Sequence, residues 1–251
     1  FSSGSGPFTF GVDNGTSAFD GVITNNSGGV GYFIKEGTGT ITLNGANSYS
    51  GTTTVSAGVL KLGNALALGT TAFGTTVSSG AVLDLNGQSI GAEAVTLNGT
   101  GISSGGALIN SSGTAVSLSG NITLASASSI GGSGNATYSG TVNGGFGLTL
   151  VGAGAKTFSG IIGGTTPLAS ITQDDATGSV QFNENVSVGS GGTTFNADVT
   201  LDGLTFTSGG AVTFGNASSD TLTISGTATT VTTTRGNLTL NATPPGNGNF
   251  S

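Results

Sequence analysis

The stretch Gly37-Thr-Gly-Thr-Ile-Thr-Leu-Asn-Gly-Ala-Asn-Ser-Tyr-Ser-Gly-Thr-Thr-Thr-Val-Ser-Ala-Gly-Val-Leu-Lys-Leu-Gly-Asn-Ala-Leu-Ala-Leu-Gly69 decides the fold. Three short strands are written in it: Thr40 to Leu43, Thr52 to Val55 and Gly58 to Leu62. Each alternates apolar with small polar residues, the period of a strand with one buried face. Gly, Asn or Ser bounds each one, and these residues tolerate turn dihedrals. No run before Ala65 has helical spacing, and helical turns are allowed only at Gly63–Gly69 and around Gly91–Ala94.

Outward from this stretch, its parts recur. A corner motif of an aromatic, Ser or Asp, Gly and two strand residues appears at Phe19, Tyr49, Tyr138 and Phe158. The first two copies are 30 residues apart and the last two 20 apart. Ile41-Thr-Leu-Asn-Gly returns as Val95-Thr-Leu-Asn-Gly and, loosely, as Leu148-Thr-Leu-Val-Gly. The last third is a series of triplets: Val180-Gln-Phe, Val199-Thr-Leu, Leu204-Thr-Phe, Val212-Thr-Phe, Leu222-Thr-Ile and Leu238-Thr-Leu. Such triplets turn two apolar side chains inward and a Thr outward, where its hydroxyl meets the neighbouring rung. Phe182, Phe195, Phe206 and Phe214 are expected to stack as core from rung to rung.

Repeats of this kind predict an all-β fold: a parallel β-helix (β-solenoid) of about ten to twelve coils, with rungs about 4.8 Å apart and a rod on the order of 50 Å long. The alternative that short strands admit is an antiparallel β-sandwich. The solenoid is preferred because the Asn-Gly turns lie between runs too unequal to pair as hairpins, and because Thr, Ser and Asn suit side-chain ladders. The expected organisation is one domain over residues 1–251, with 1–12 and 243–251 as non-repetitive caps, linkers or docking strands.

Composition narrows function. Of the 251 residues, 6% are charged, 49 are Gly, and the formal net charge is -7. Cys, His, Met and Trp are absent, which removes disulfides, thiolate metal sites and imidazole bases. Without Met, Phe1 is expected to be a processed or truncated end, and the residues after it lack the pattern of a signal peptide. Four basic residues, Lys35, Lys61, Lys156 and Arg235, give no electrostatic basis for nucleic-acid binding. No apolar run reaches the roughly 18 residues of a membrane helix, so no membrane insertion of this segment is expected.

Candidate chemistry is thin. Gly152-Ala-Gly-Ala-Lys156-Thr157 imitates a phosphate loop, but Ala155 replaces the Gly before the Lys and no helix follows. Gly131 to Ser139 imitates a calcium nonapeptide, but Ala136 occupies the ligating Asp position. Asp198 and Asp202 are four apart on a strand, about 13 Å, which is wide for a glycosidase pair. Asp174 and Asp175 read as solvated turn acids, Asp84 should point outward, and Arg235 stands alone among Thr residues. Eleven Asn-x-Ser/Thr sequons, Asn121 and Asn237 among them, are what a chain this rich in those residues contains by chance. No catalytic, cofactor-binding or metal-ligating residue is therefore assigned, and no enzyme activity is expected.

Gly37 to Gly69 resembles the autotransporter-associated β-strand repeat of bacterial passenger domains, following its pattern almost throughout from Thr38 to Gly63, with partial echoes at Phe19–Ile23 and Leu148–Ile162. The resemblance implies a right-handed parallel β-helix exposed outside a bacterial cell, as a released passenger, a fragment of one, or part of another surface assembly. The expected function is a non-enzymatic extracellular structural β-solenoid, a surface stalk or self-assembling fibre. The alternatives are an adhesin passenger that binds glycans or a host surface and, less favoured, a polysaccharide-cleaving β-helix enzyme. The expected partner is the chain itself, head to tail through the sparsely charged solenoid ends.

Overall fold

The computed structural model describes residues 7–25, 29–174, 178–226 and 228–241. The alternation in the sequence becomes burial. In Thr40–Leu43 the side chains of Ile41 and Leu43 are buried, in Val59–Leu62 those of Leu60 and Leu62, and Thr53–Val55 follows the same pattern. These bounds differ by at most one residue from those read in the sequence.

Every registered strand pair among the described residues is parallel. That overturns the antiparallel sandwich. Parallel neighbours need a long crossover, and here the crossover is the rest of a coil. The protein is a β-solenoid of about ten turns with three faces.

Face I can be followed through one inward position: Phe8, Phe33, Thr53, Thr75, Val95, Ile122, Val142, Ile162, Val186, Phe206 and Val231. Face II runs from Ser17–Phe19 through Thr40–Leu43 and Val59–Leu62 to Val212–Phe214 and Leu238–Leu240. Face III is regular only from Val116–Leu118 to Leu222–Ser225. Before Val116 its place is taken by loops that still stack: Ser48 donates its N–H to Ile23 O at 2.9 Å, and Thr70 to Tyr49 O at 2.9 Å.

Phe8–Phe10, inside the segment expected to be non-repetitive, pairs in parallel with Phe33–Lys35 as the first rung. Residues 1–6 and 243–251 lie outside the described residues. The two expected helical turns, Gly63–Gly69 and Gly91–Ala94, are non-helical turns. The one helical element among the described residues is a 3-10 turn at Ile102–Ser104, in the coil that needs 27 residues to pass from Val95 to Ile122.

The corner motif has a steric cause. At the corner from face III to face I, Gly120, Gly140 and Gly160 stack. A Cβ on Gly140 would stand 2.1 Å from Gly120 O, and one on Gly160 2.2 Å from Gly140 O. No side chain fits where successive coils approach this closely. The residues before these corners, Leu118, Tyr138 and Phe158, fill the interior in register.

The core is aromatic towards both ends and aliphatic between. Phe33 stacks on Phe10 at 5.5 Å, Phe158 stacks between Tyr138 and Phe182, and Phe195 lies parallel to Phe214 at 5.5 Å. Each fully buried Phe contributes roughly 1.5–3 kcal/mol of transfer free energy. The four phenylalanines expected as core, Phe182, Phe195, Phe206 and Phe214, are all buried.

Candidate functional site

The corners hold a polar ladder that joins coil to coil. Asn121 Oδ1 accepts the N–H of Thr141 at 3.0 Å, Asn135 that of Ala155 at 2.9 Å, Asn185 that of Thr205 at 2.8 Å, and Asp198 that of Thr221 at 2.8 Å. Donor and acceptor residues occupy the same position on successive coils, because the next residues are paired: Ile122 with Val142, Ala136 with Lys156, Val186 with Phe206, Val199 with Leu222. Each Asx thus satisfies a turn N–H that strand pairing leaves free.

The interior also contains polar groups, most of them bound to named partners, while Tyr138 Oη, Gln173 Oε1 and Thr193 Oγ1 find none among the described residues. Lys35 is 0% exposed, and its ammonium donates to Glu36 O, Gly37 O and Ala57 O at 2.5, 2.8 and 3.1 Å. Burial lowers its pKa, and Asp13 partly offsets this. Lys156 does the same with Gly152 O and Gly154 O at 2.8 and 2.7 Å. The phosphate-loop imitation is therefore a corner whose carbonyls are already capped from within. Asn110 accepts from Gly87 N and Ser112 N and donates to Thr114 O and Asn135 O. Tyr49 and Thr53 share a hydroxyl bond of 2.5 Å, and Thr75 donates to Glu93 at 2.8 Å. Burial raises the pKa of Glu93, against the pull of the Thr75 bond.

One groove of about 380 Å³ opens on face I. The face I strand is reduced there to a single bridging residue, Ile162. Ile161 and Pro167 form an apolar wall, and Asn185, Ser187, Thr205 and Thr207 a polar one. The groove contains neither a carboxylate nor a basic group.

The acids weighed in the sequence do not converge. Asp198 lies at the corner from face II to face III, bound to Thr221. Asp202 ends its strand at the corner from face III to face I, opposite Ser225. Arg235 lies at the remaining corner, between Thr230–Thr233 and Leu238–Leu240. Three different corners of a prism cannot build one site. Asp174 is described, while Asp175 lies outside the described residues. Asp84 occupies the outward column with Thr42, Lys61 and Ile109, as expected, but it is only 3% exposed. Ser111 covers it, donating its hydroxyl at 2.6 Å and its N–H at 3.1 Å, and Lys61 approaches to 3.9 Å. Among the described residues no cluster of acids could hold a metal ion.

The fold and its ladders define a class, the parallel β-solenoids built from a short corner-and-strand repeat. Within that class, residues 33–62 match the family model described as Passenger-associated-transport-repeat, so that segment has the pattern of one such repeat. A 72-residue stretch is 40% identical to the adhesin BmaC autotransporter of Brucella suis biovar 1 (strain 1330), covering 29% of this chain and 2% of that protein. The chain thus spans a very small part of the length of that relative. No solved structure matches the chain significantly.

Proposed function

We propose that the chain is a non-enzymatic length of an extracellular bacterial stalk, whose work is to hold distance and shape at a cell surface. The observation that carries this reading is the polar ladder. Asx side chains at the corners, and Lys or Asn inside them, are spent on the coil's own backbone or that of the next coil. A chain whose polar side chains are committed to neighbouring coils is organised for stiffness along its axis. The passenger repeat at residues 33–62 supports a place outside the cell. Ten rung spacings of about 4.8 Å give a rod about 50 Å long. Small-angle scattering or electron microscopy of the purified chain should give rods of that length; a compact globule would refute the stalk.

Two extensions belong to this reading. Copies are proposed to stack head to tail, because the terminal coils carry partly buried Phe8, Phe10 and Phe19 at one end and Ile224, Val231 and Leu240 at the other. Head-to-tail contacts of this kind do not close, and give filaments. Light scattering showing a monodisperse monomer at high concentration would exclude them. A second reading, adhesion to surface glycans or a host surface, is favoured by the groove with its hydroxyl and amide wall and by the name of the relative. Glycan-array binding that is lost on Ser187→Ala with Thr207→Ala would support it, and an empty array would count against it.

A further inference from the structure

The four basic residues, Lys35, Lys61, Lys156 and Arg235, differ sharply in access. A protease must draw an extended segment into its cleft, so cleavage favours exposed loops and demands local opening elsewhere. Lys35 and Lys156 point inward, 0% and 4% exposed, and their ammonium groups are bound to backbone carbonyls. A protease specific for basic residues cannot place either side chain in its specificity pocket without unfolding a coil. Lys61 lies mid-strand in Val59–Leu62, paired to Thr42 on one side and Asp84 on the other, with its ammonium 3.9 Å from the Asp84 carboxylate. Its backbone is held from both directions.

Arg235 is different. It is exposed, in the bend Thr234–Gly236. The flanking strands, Thr230–Thr233 and Leu238–Leu240, are each paired on one side only among the described residues. The bend itself is tied by Thr234 N–H to Ser208 O and by Thr233 Oγ1–H to Gly236 O. Few bonds must break to extend it.

We propose that the peptide bond between Arg235 and Gly236 is a processing site, the one place where the folded rod is open to a protease specific for basic residues. Water adds across that bond in the protease's own active site, leaving a carboxylate on Arg235 and an amine on Gly236. After the cut, the rung Leu238–Leu240 is held, among the described residues, by hydrogen bonds and partial packing. These include Val212 N–H to Asn237 O and Asn241 N–H to Phe214 O. The coils below, paired on both sides, stay closed.

The test is limited trypsin digestion of the whole native chain, read by intact mass. The expected first product ends at Arg235 and accumulates at least about tenfold faster than any product of cleavage after a lysine. The urea-denatured chain, cut after all four basic residues, is the control for intrinsic reactivity. Arg235→Gln removes an exposed side chain and should leave circular dichroism and melting unchanged while the native rod survives intact. Earlier cleavage after Lys35, Lys61 or Lys156 would overturn the proposal. So would an uncut native wild type, or an Arg235→Gln rod cut as fast as wild type.

Discussion

Thr75 donates its hydroxyl to Glu93 at 2.8 Å inside the solenoid, where both side chains are 2% exposed. A carboxyl group so placed is desolvated, and one neutral hydrogen bond does not restore what water gave it, so its pKa is raised. The unfolded chain releases that proton near pH 4.3, the folded chain at a higher pH. Between those two values the folded state binds more protons, so this group's contribution to stability falls as pH rises through the window. Mild acid should therefore stabilise the wild type relative to Glu93→Gln, and the difference should shrink towards neutral pH. Denaturant midpoints of both chains across pH 4 to 8 measure it; parallel profiles would show that Glu93 is not desolvated.

The corner ladder predicts an acceptor requirement. Asn135→Ala leaves the Ala155 N–H without its partner and should cost about 0.5–1.5 kcal/mol. Asn135→Asp keeps the oxygen, as Asp198 does in the equivalent slot against Thr221, and should cost less. Urea midpoints rank the two, and equal losses would argue that the side chain's size matters rather than its oxygen.

The glycine column predicts a steric cost at one corner and none at another. Gly140→Ala drives a methyl to 2.1 Å from Gly120 O, an overpacking cost of about 1–3 kcal/mol or more. Gly113→Ala meets nothing within 4 Å and should be neutral within about 0.5 kcal/mol. Thermal melts of the pair separate close packing from a general demand for flexible corners.

Tyr138 offers a stabilising change. Its hydroxyl is buried with no hydrogen-bond partner among the described residues, while the next two coils place Phe158 and Phe182 in the same column. Tyr138→Phe removes the unsatisfied group and keeps the ring, and should raise stability by about 1 kcal/mol. A lower melting temperature would reveal a partner for that hydroxyl.

Faces I and II and the later part of face III were legible because alternation is a direct statement about burial, and the triplets from Val180 onward, which fall on all three faces, made it in plain form. The sequons were legible as a pattern but not as a cause. Asn121-Ile-Thr and Asn135-Ala-Thr read as chance in a chain of this composition. In the structure they record geometry: Asn at the corner, a small or apolar residue inward, Thr outward. Lys35 and Lys156 were hidden, because alternation treats a lysine as an outward residue. The available signal was the Gly-x-Gly beside each, a turn tight enough to aim carbonyls inward. Early face III was illegible, since loops 44–51 and 63–74 stack without a strand's period. The groove on face I was also missed, because it arises from the interruption at Ile162, which no motif marks.

The in-register stacking of Val95, Ile122 and Val142 makes one coil a removable unit of length. Excising residues 122–141 would join Ser119-Gly-Asn121 to Val142, where Ser139-Gly-Thr141 now leads into the same residue. Val95 would then face Val142 as it now faces Ile122. The shortened chain would be a complete rod, less by one step of about 4.8 Å. Such a rod is graduated in steps of about twenty residues, and its length can be edited by whole steps without redesigning either end.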